Sequence, residues 1–80
     1  MTIEKQSDYL LGAKVFSIIN KNPNTVEGVT KKIYGNLGAR NIVRIYQCIM
    51  IMLKEGIMIP QFKNGVLIFK CDNVSNIDES

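Results

Sequence analysis

The chain contains no histidine and only two cysteines, Cys48 and Cys71. Without histidine a mixed Cys/His zinc site is excluded, and the two cysteines form no CxxC pair. The same absence removes the usual general base, so no standard pair of nucleophile and base is available. The GNLG segment at 35–38 lacks the lysine pattern of a phosphate-binding loop. We therefore predict that the protein is not an enzyme and has no catalytic residues, no metal, no cofactor and no small-molecule substrate.

The two cysteines leave two interpretations open. The simpler one is two small thiols, buried or half-buried, since free cysteine packs as a small apolar residue. The other is a disulfide, because Cys71 ends a predicted strand that could return beside the long helix that contains Cys48.

Long apolar runs are also missing. The longest, residues 48–53, is followed at once by Lys54 and Glu55, whereas a membrane-spanning helix needs about 18 to 20 apolar residues. Residues 1–12 carry acids and lack the apolar core of a signal peptide. We therefore expect a cytoplasmic protein with no membrane partner.

Acidic residues are scarce in the body of the chain. Residues 13–71 contain nine bases and two acids, whereas residues 72–80 contain three acids and no base. A basic body favours a polyanionic partner, although many solvated surfaces have the same composition. With 80 residues, of which 46% are hydrophobic, the chain has room for one folded domain. We place it at 8–71, between a flexible N-terminus (1–7) and an acidic flexible tail (72–80).

Two helices are predicted before the glycine-containing turn. The first starts at Ser7, whose hydroxyl can cap it, and ends before Pro23, because the residue preceding proline avoids the α region. Its apolar stripe consists of Leu11, Val15, Ile18 and Ile19. The second starts at Asn24, with Glu27 three residues on as in a capping box.

Glycines mark the next boundaries. Gly28, inside the second helix, either lets a neighbouring helix approach closely or simply weakens its own helix. The turn at 35–38 has two glycines and an asparagine that can adopt positive φ, and we expect Leu37 to anchor it in the core. A long helix follows over 39–55 and is closed by Gly56.

The helix at 39–55 has two different sides. An advance of about 100° per residue gathers six apolar residues on one broad side, which we expect to form the centre of the core: Ile42, Ile45, Tyr46, Ile49, Met52 and Leu53. Arg40, Arg44 and Gln47 fall on the opposite side within about 60°. Tyr46 and Met50 are expected to pack in the core rather than to bind a partner.

Two β-rich runs, 57–62 and 66–71, flank Asn64-Gly65, the strongest short-range signal for a hairpin with a type I′ turn. In that register the inward side carries three cross-strand pairs: Met58 with Cys71, Pro60 with Phe69, and Phe62 with Leu67. Pro60 cannot donate a ladder hydrogen bond, so its strand should be an edge.

The order helix, helix, glycine turn, long helix, glycine stop and hairpin, with MLKEGIMI at the junction, resembles the winged-helix-turn-helix family of DNA-binding proteins. Members commonly end the third helix with a leucine, a polar pair and a glycine, as residues 53–56 do here. NPNTVEGVTKKI is similar to their second helix, and small regulators of the MarR and ArsR type and compact proteins of archaeal viruses and plasmids are similar in size. The resemblance implies a mainly α, α+β fold of three helices followed by a β-hairpin wing, and the host cytoplasm if the protein is viral.

The resemblance implies sequence-specific binding of double-stranded DNA and a role in transcription regulation. Helix 39–55 would enter the major groove, and the hairpin at 57–71 would act as the wing. The side chains that would contact DNA are Lys31, Lys32, Asn36, Arg40, Asn41, Arg44, Gln47, Lys63 and Asn64. Without the family pattern these residues have plainer explanations, because cations often only solvate a surface and Asn64 suits its turn.

The alternative function is a winged-helix module that binds another protein and has no affinity for DNA. Apolar residues outside the predicted core, among them Ile51, Ile59 and Ile68, suggest it. We assign part of this excess to a homodimer, which would present two reading helices to a two-fold-related site. The predicted dimer interface on the first helix consists of Tyr9, Leu10, Ala13 and Phe16.

Overall fold

A computed structural model of the chain describes the backbone of residues 2–72 and the side chains from Leu10 onward. The architecture is mainly helical α+β, with three helices followed by an antiparallel two-stranded hairpin. The elements are α1 (Thr2–Lys21), α2 (Val26–Tyr34), α3 (Ala39–Lys54), β1 (Met58–Lys63) and β2 (Val66–Cys71). No helix among the described residues is both long and apolar enough to cross a bilayer. Residues 73–80 of the predicted acidic tail lie outside the described part of the chain.

The start of α1 differs from the sequence-based expectation. The helix begins at Thr2 rather than at Ser7. Glu4, Lys5 and Gln6 have high helix propensity, so a helix can form over them without the capping hydroxyl of Ser7. The prediction of a start at Ser7 is therefore wrong by five residues.

Thr25, and not Asn24, caps α2. The Thr25 hydroxyl accepts a hydrogen bond from the Gly28 N–H at 2.9 Å. Asn24 instead pairs with Phe69 of β2 in an isolated antiparallel bridge, with N···O distances of 3.0 and 2.8 Å. Because β2 is bonded on both sides at this point, β1 is the outer strand, which confirms the edge position predicted for Pro60.

Gly28 is explained by the side chain of Asn24 rather than by a neighbouring helix. Asn24 Oδ1 accepts a hydrogen bond from the Thr25 N–H at 2.8 Å. A Cβ atom on Gly28 would overlap Asn24 Oδ1 and lie 2.9 Å from Asn24 Cγ. The absence of a side chain at position 28 therefore allows Asn24 to support the entry to α2.

A double-mutant cycle tests this coupling. Gly28→Ala normally stabilises a helix interior by about 1 kcal/mol. In the native background we expect almost no gain, because Asn24 must turn away and its hydrogen bond, worth about 1 kcal/mol, is lost. In the Asn24→Ala background the gain of about 1 kcal/mol should reappear in urea unfolding. Equal effects of Gly28→Ala in both backgrounds would contradict the coupling.

The core lies where all three helices meet the base of the hairpin. α3 supplies its centre, as predicted, and α1 contributes most of its predicted stripe. The buried hydrophobic residues are Leu11, Val15, Ile19, Val29, Ile45, Ile49, Met52, Met58 and Phe69. Thr30 is also fully buried, and its hydroxyl donates to the Val26 carbonyl at 2.7 Å.

Three residues expected in the core are on the surface instead. Tyr46 is 46% exposed, and Met50 and Leu37 are exposed to a similar extent. On α3 the buried residues Ile45 and Ile49 fix the inward direction, and Met50 lies more than about 90° away from both. The packed elements cover only a narrow sector of α3, so residues at its margins stay exposed. The predictions for Tyr46, Met50 and Leu37 are wrong.

The hairpin confirms the predicted register and turn. Met58 pairs with Cys71, Pro60 with Phe69, and Phe62 with Leu67. Asn64 and Gly65 have φ values of 54° and 80°, the positive pair that a type I′ turn requires.

Only the base of the hairpin contributes to the core. Met58 and Phe69 are buried, whereas Phe62, on the same side of the hairpin, is 73% exposed. Six residues per strand span about 20 Å. The tip of the hairpin therefore projects past the helices, and they do not cover it. The expected inward position of Phe62 is therefore wrong, and that of Phe69 is confirmed.

The two phenylalanines of the hairpin provide a matched test of this geometry. Phe69→Ala should reduce the free energy of unfolding by about 3 to 5 kcal/mol or unfold the domain, because Phe69 is only 3% exposed. Phe62→Ala should change it by less than about 1 kcal/mol. Urea unfolding followed by circular dichroism measures both, and equal losses would contradict the exposed tip.

Gly56 ends α3 as predicted and sets the start of the hairpin. Its φ is +80°, a backbone conformation that glycine adopts without strain. The Gly56 N–H donates to Leu53 O at 3.1 Å and the Ile57 N–H to Met52 O at 2.9 Å. These two bonds form a Schellman motif, so the chain turns directly from α3 into β1.

Cys48 and Cys71 are thiols and are not joined by a disulfide. Cys48 and Cys71 are half-buried and pack against the same core. Burial raises the pKa of the Cys71 thiol above its ordinary value. The sequence left two interpretations open, and the structure agrees with two half-buried thiols rather than with a disulfide.

Candidate nucleic-acid interface

The outward side of α3 carries a line of polar and basic side chains. Arg40, Gln47 and Lys54 lie within about 35° of the direction opposite the buried residues of the helix, which are Ile45, Ile49 and Met52. All three are exposed, as predicted for Arg40 and Gln47. α3 contains no acidic residue. A polyanion approaching this side would therefore meet positive charge and no opposing carboxylate from the helix itself.

Val43 lies within the same line and was not among the predicted site residues. It is 51% exposed and sits three residues after Arg40 and four before Gln47. Such spacings place Cβ atoms about 5 to 6 Å apart on a helix surface. The signal was available in the sequence, because Val43 is about one turn from each of the two polar residues along the helix and lies about 40° around it from Gln47. We call Arg40, Val43 and Gln47 the central line of α3.

Arg44 lies at the flank of α3 rather than in the central line. It is about 60° around the helix from Gln47. Together with five residues of α1 and α2 it lines a cleft of about 290 Å³: Leu10, Leu11, Lys14, Ile33 and Tyr34. The predicted grouping of Arg40, Arg44 and Gln47 therefore divides into a central and a lateral part.

A second cleft continues the first along the groove between α1 and α2. It has a volume of about 280 Å³ and shares Lys14 and Ile33 with the first, and Lys32 of α2 also lines it. Three cations, from α1, α2 and α3, thus border adjoining clefts on one side of the molecule. Lys14 was not predicted as a site residue, since its sequence position gives no indication of this juxtaposition. Lys31, beside Lys32, is exposed as predicted.

Asn36 and Asn41 are bonded to each other. Asn36 Oδ1 accepts from the Gly38 N–H at 2.9 Å and from Asn41 Nδ2 at 3.1 Å. This pair ties the turn to the first turn of α3 and gives both residues a structural role. A nucleic acid would meet them through the other amide atoms, Asn36 Nδ2 and Asn41 Oδ1.

The hairpin tip combines one cation with apolar side chains. Lys63 and Asn64 are exposed at the turn, as predicted. Phe62, Val66 and Leu67 beside them are exposed as well. The tip can therefore contact a polyanion through Lys63 and an apolar surface through its neighbours.

The described residues of the predicted dimer interface, Leu10, Ala13 and Phe16, are all exposed and span a broad sector of α1. Ala13 and Phe16 are exposed together, whereas Leu10 is about 120° around the helix from Phe16. Leu10 belongs to the cleft beside Arg44. The side chain of Tyr9 lies outside the described residues.

Comparison with protein-family models, with curated proteins and with solved structures found no match to this chain. The features of the molecule that indicate a function are therefore the geometry of α3, of the lateral clefts and of the hairpin tip.

Proposed function

We propose that the protein binds duplex DNA in a sequence-specific manner as a winged-helix transcription regulator. In this proposal α3 enters the major groove and the hairpin of β1 and β2 acts as the wing. The order of the elements supports it, because the hairpin follows α3 directly after the Gly56 stop. The winged-helix assignment is part of the proposal.

The exposed central line of α3 is the observation that carries the proposal. The major groove is about 12 Å wide and admits an α-helix whose outward residues contact base edges. Arg40 can donate two hydrogen bonds to a guanine or grip a phosphate, and Gln47 can pair with the N6 and N7 atoms of adenine. Neither side chain has to leave a buried position to do so, because both are exposed.

The lateral cations would hold the helix in place without specifying sequence. Lys14, Lys32 and Arg44 border the two adjoining clefts, of which the one with Arg44 lies at the flank of α3. Cations so placed suit the phosphates on one side of a groove, which fix orientation and register. Lys63 at the hairpin tip would contact the backbone or the adjoining minor groove.

The salt dependence of binding to a random-sequence duplex pool tests this proposal. Fluorescence anisotropy should show affinity falling steeply with salt, because bound cations release counterions from DNA. On a duplex selected from this pool by binding, Arg40→Gln should weaken binding by about 1 to 3 kcal/mol if Arg40 contacts a base. If Arg40 contacts a phosphate, the variant should instead lower the salt slope by about one.

Lys21→Gln is the matched control, since it removes the same charge from an exposed residue at the end of α1. It should change affinity far less than Arg40→Gln. Absence of duplex binding at low salt would overturn the proposal, and equal losses in both variants would remove the special role of α3.

The exposed tip of the hairpin supports a second candidate, a module that binds another protein. Phe62, Val66 and Leu67 together offer an apolar surface at the tip. Ile59 and Ile68, which the sequence suggested for this role, are half-buried and less accessible. A protein-docking module would show no salt-dependent DNA affinity, so the anisotropy experiment separates the two functions.

A homodimer is the proposed form on a two-fold-related DNA site. The side of α1 that carries Ala13 and Phe16 supports it, because both are exposed there. Sedimentation equilibrium at tens of micromolar should give twice the chain mass of 9.0 kDa, and Phe16→Ser should shift the mass toward the monomer. A single species at the chain mass in the native protein would contradict the dimer.

A further inference from the structure

We propose that Val43 recognises the 5-methyl group of thymine, so that the preferred DNA sites place a thymine opposite the middle of the central line. The inference rests on the proposed function and adds the class of base pair that α3 selects.

The position of Val43 carries the inference. It lies about 30° from the outward direction of α3, closer to it than any other apolar residue of the helix. Arg40 precedes it by one turn and Gln47 follows it by one turn. An isopropyl group thus occupies the middle of a contact line whose two ends can form hydrogen bonds with base edges.

The chemistry of the major groove offers one strongly apolar target. Base edges present hydrogen-bond donors and acceptors, and thymine alone adds a methyl group. A valine pressed against a polar edge would leave that edge without a partner, which is unfavourable. Against a thymine methyl group the same valine would remove apolar surface from water on both sides.

The spacing of side chains in the central line of α3 also indicates which neighbouring base pair Gln47 would contact. Cβ atoms of Val43 and Gln47 are about 5 to 6 Å apart, as for any residues one turn apart. Successive base pairs rise by about 3.4 Å, so the two side chains would contact base pairs one or two steps apart. Because glutamine pairs well with adenine, the expected core of the site is a thymine and an adenine at that separation.

Charge favours DNA over a protein as the occupant of this side. Val43 lies between residues that carry positive or neutral polar groups, and α3 has no acid. Met50 and Ile51 are also exposed apolar residues, but they lie beyond Gln47, toward the C-terminal end of the helix. They have no polar partner on their far side except Lys54.

Replacement of thymine by deoxyuridine tests the inference, since it removes only the methyl group. The probe is a duplex that the native protein selects from the random-sequence pool by binding. Each thymine of this duplex is replaced in turn by deoxyuridine. For the native protein one replacement should weaken binding about three- to tenfold, the effect of removing one buried methyl group. For Val43→Ala the same replacement should change binding less than twofold.

Ile51→Ala is the matched control, because Ile51 is 61% exposed on the same helix. This variant should keep the native discrimination between thymine and uracil. Both substitutions are at exposed positions, so the variants are expected to fold.

Each other outcome is decisive. Selected sites without thymine, or binding that is insensitive to every replacement, would overturn the inference while leaving DNA binding intact. Discrimination retained by Val43→Ala would assign the methyl contact to another residue and also overturn it. Failure to bind any duplex would remove the proposed function together with this inference.

Discussion

The rotation of α3 about its own axis is the constraint on which the rest of the structure depends. Ile45, Ile49 and Met52 are buried against α1, α2 and the base of the hairpin. Once these residues face inward, the angle of about 100° between successive residues determines which residues of α3 face outward. The same packing that stabilises the domain therefore presents Arg40, Val43 and Gln47, and it turns Arg44 to the flank.

Features specified by short stretches of sequence could be predicted. The register of the hairpin follows from the type I′ turn at Asn64-Gly65, and the end of α3 follows from the left-handed conformation of Gly56. Each of these depends on a few adjacent residues and on backbone sterics. The order of the elements and the mainly helical α+β class follow in turn, because these local signals divide the chain correctly.

Features that depend on distant partners could not be predicted. Asn24 looked like a helix cap, but it bonds to Phe69, which is 45 residues later in the sequence. Tyr46 and Phe62 belong to the same periodic apolar patterns as their buried neighbours, and their exposure reflects how little surface the other elements can cover. In the candidate site, exposure of Arg40 and Gln47 could be predicted from helical angles. The association of Arg44 with Lys14 could not, since it requires the placement of α1.

The division of the basic side chains between a central line and a flank bears on how such a surface could discriminate between sequences. A face made only of cations would bind phosphates wherever they occur, with strong affinity and little selectivity. An apolar side chain between two hydrogen-bonding side chains can select among base edges. A base edge that puts a polar atom against the apolar group is disfavoured, because that atom loses water and gains no hydrogen-bond partner. Val43 between Arg40 and Gln47 has this arrangement, while Lys32 and Arg44 stand to the side. Affinity and selectivity would then come from different sectors of one small domain, and both sectors are set by the packing of a single helix.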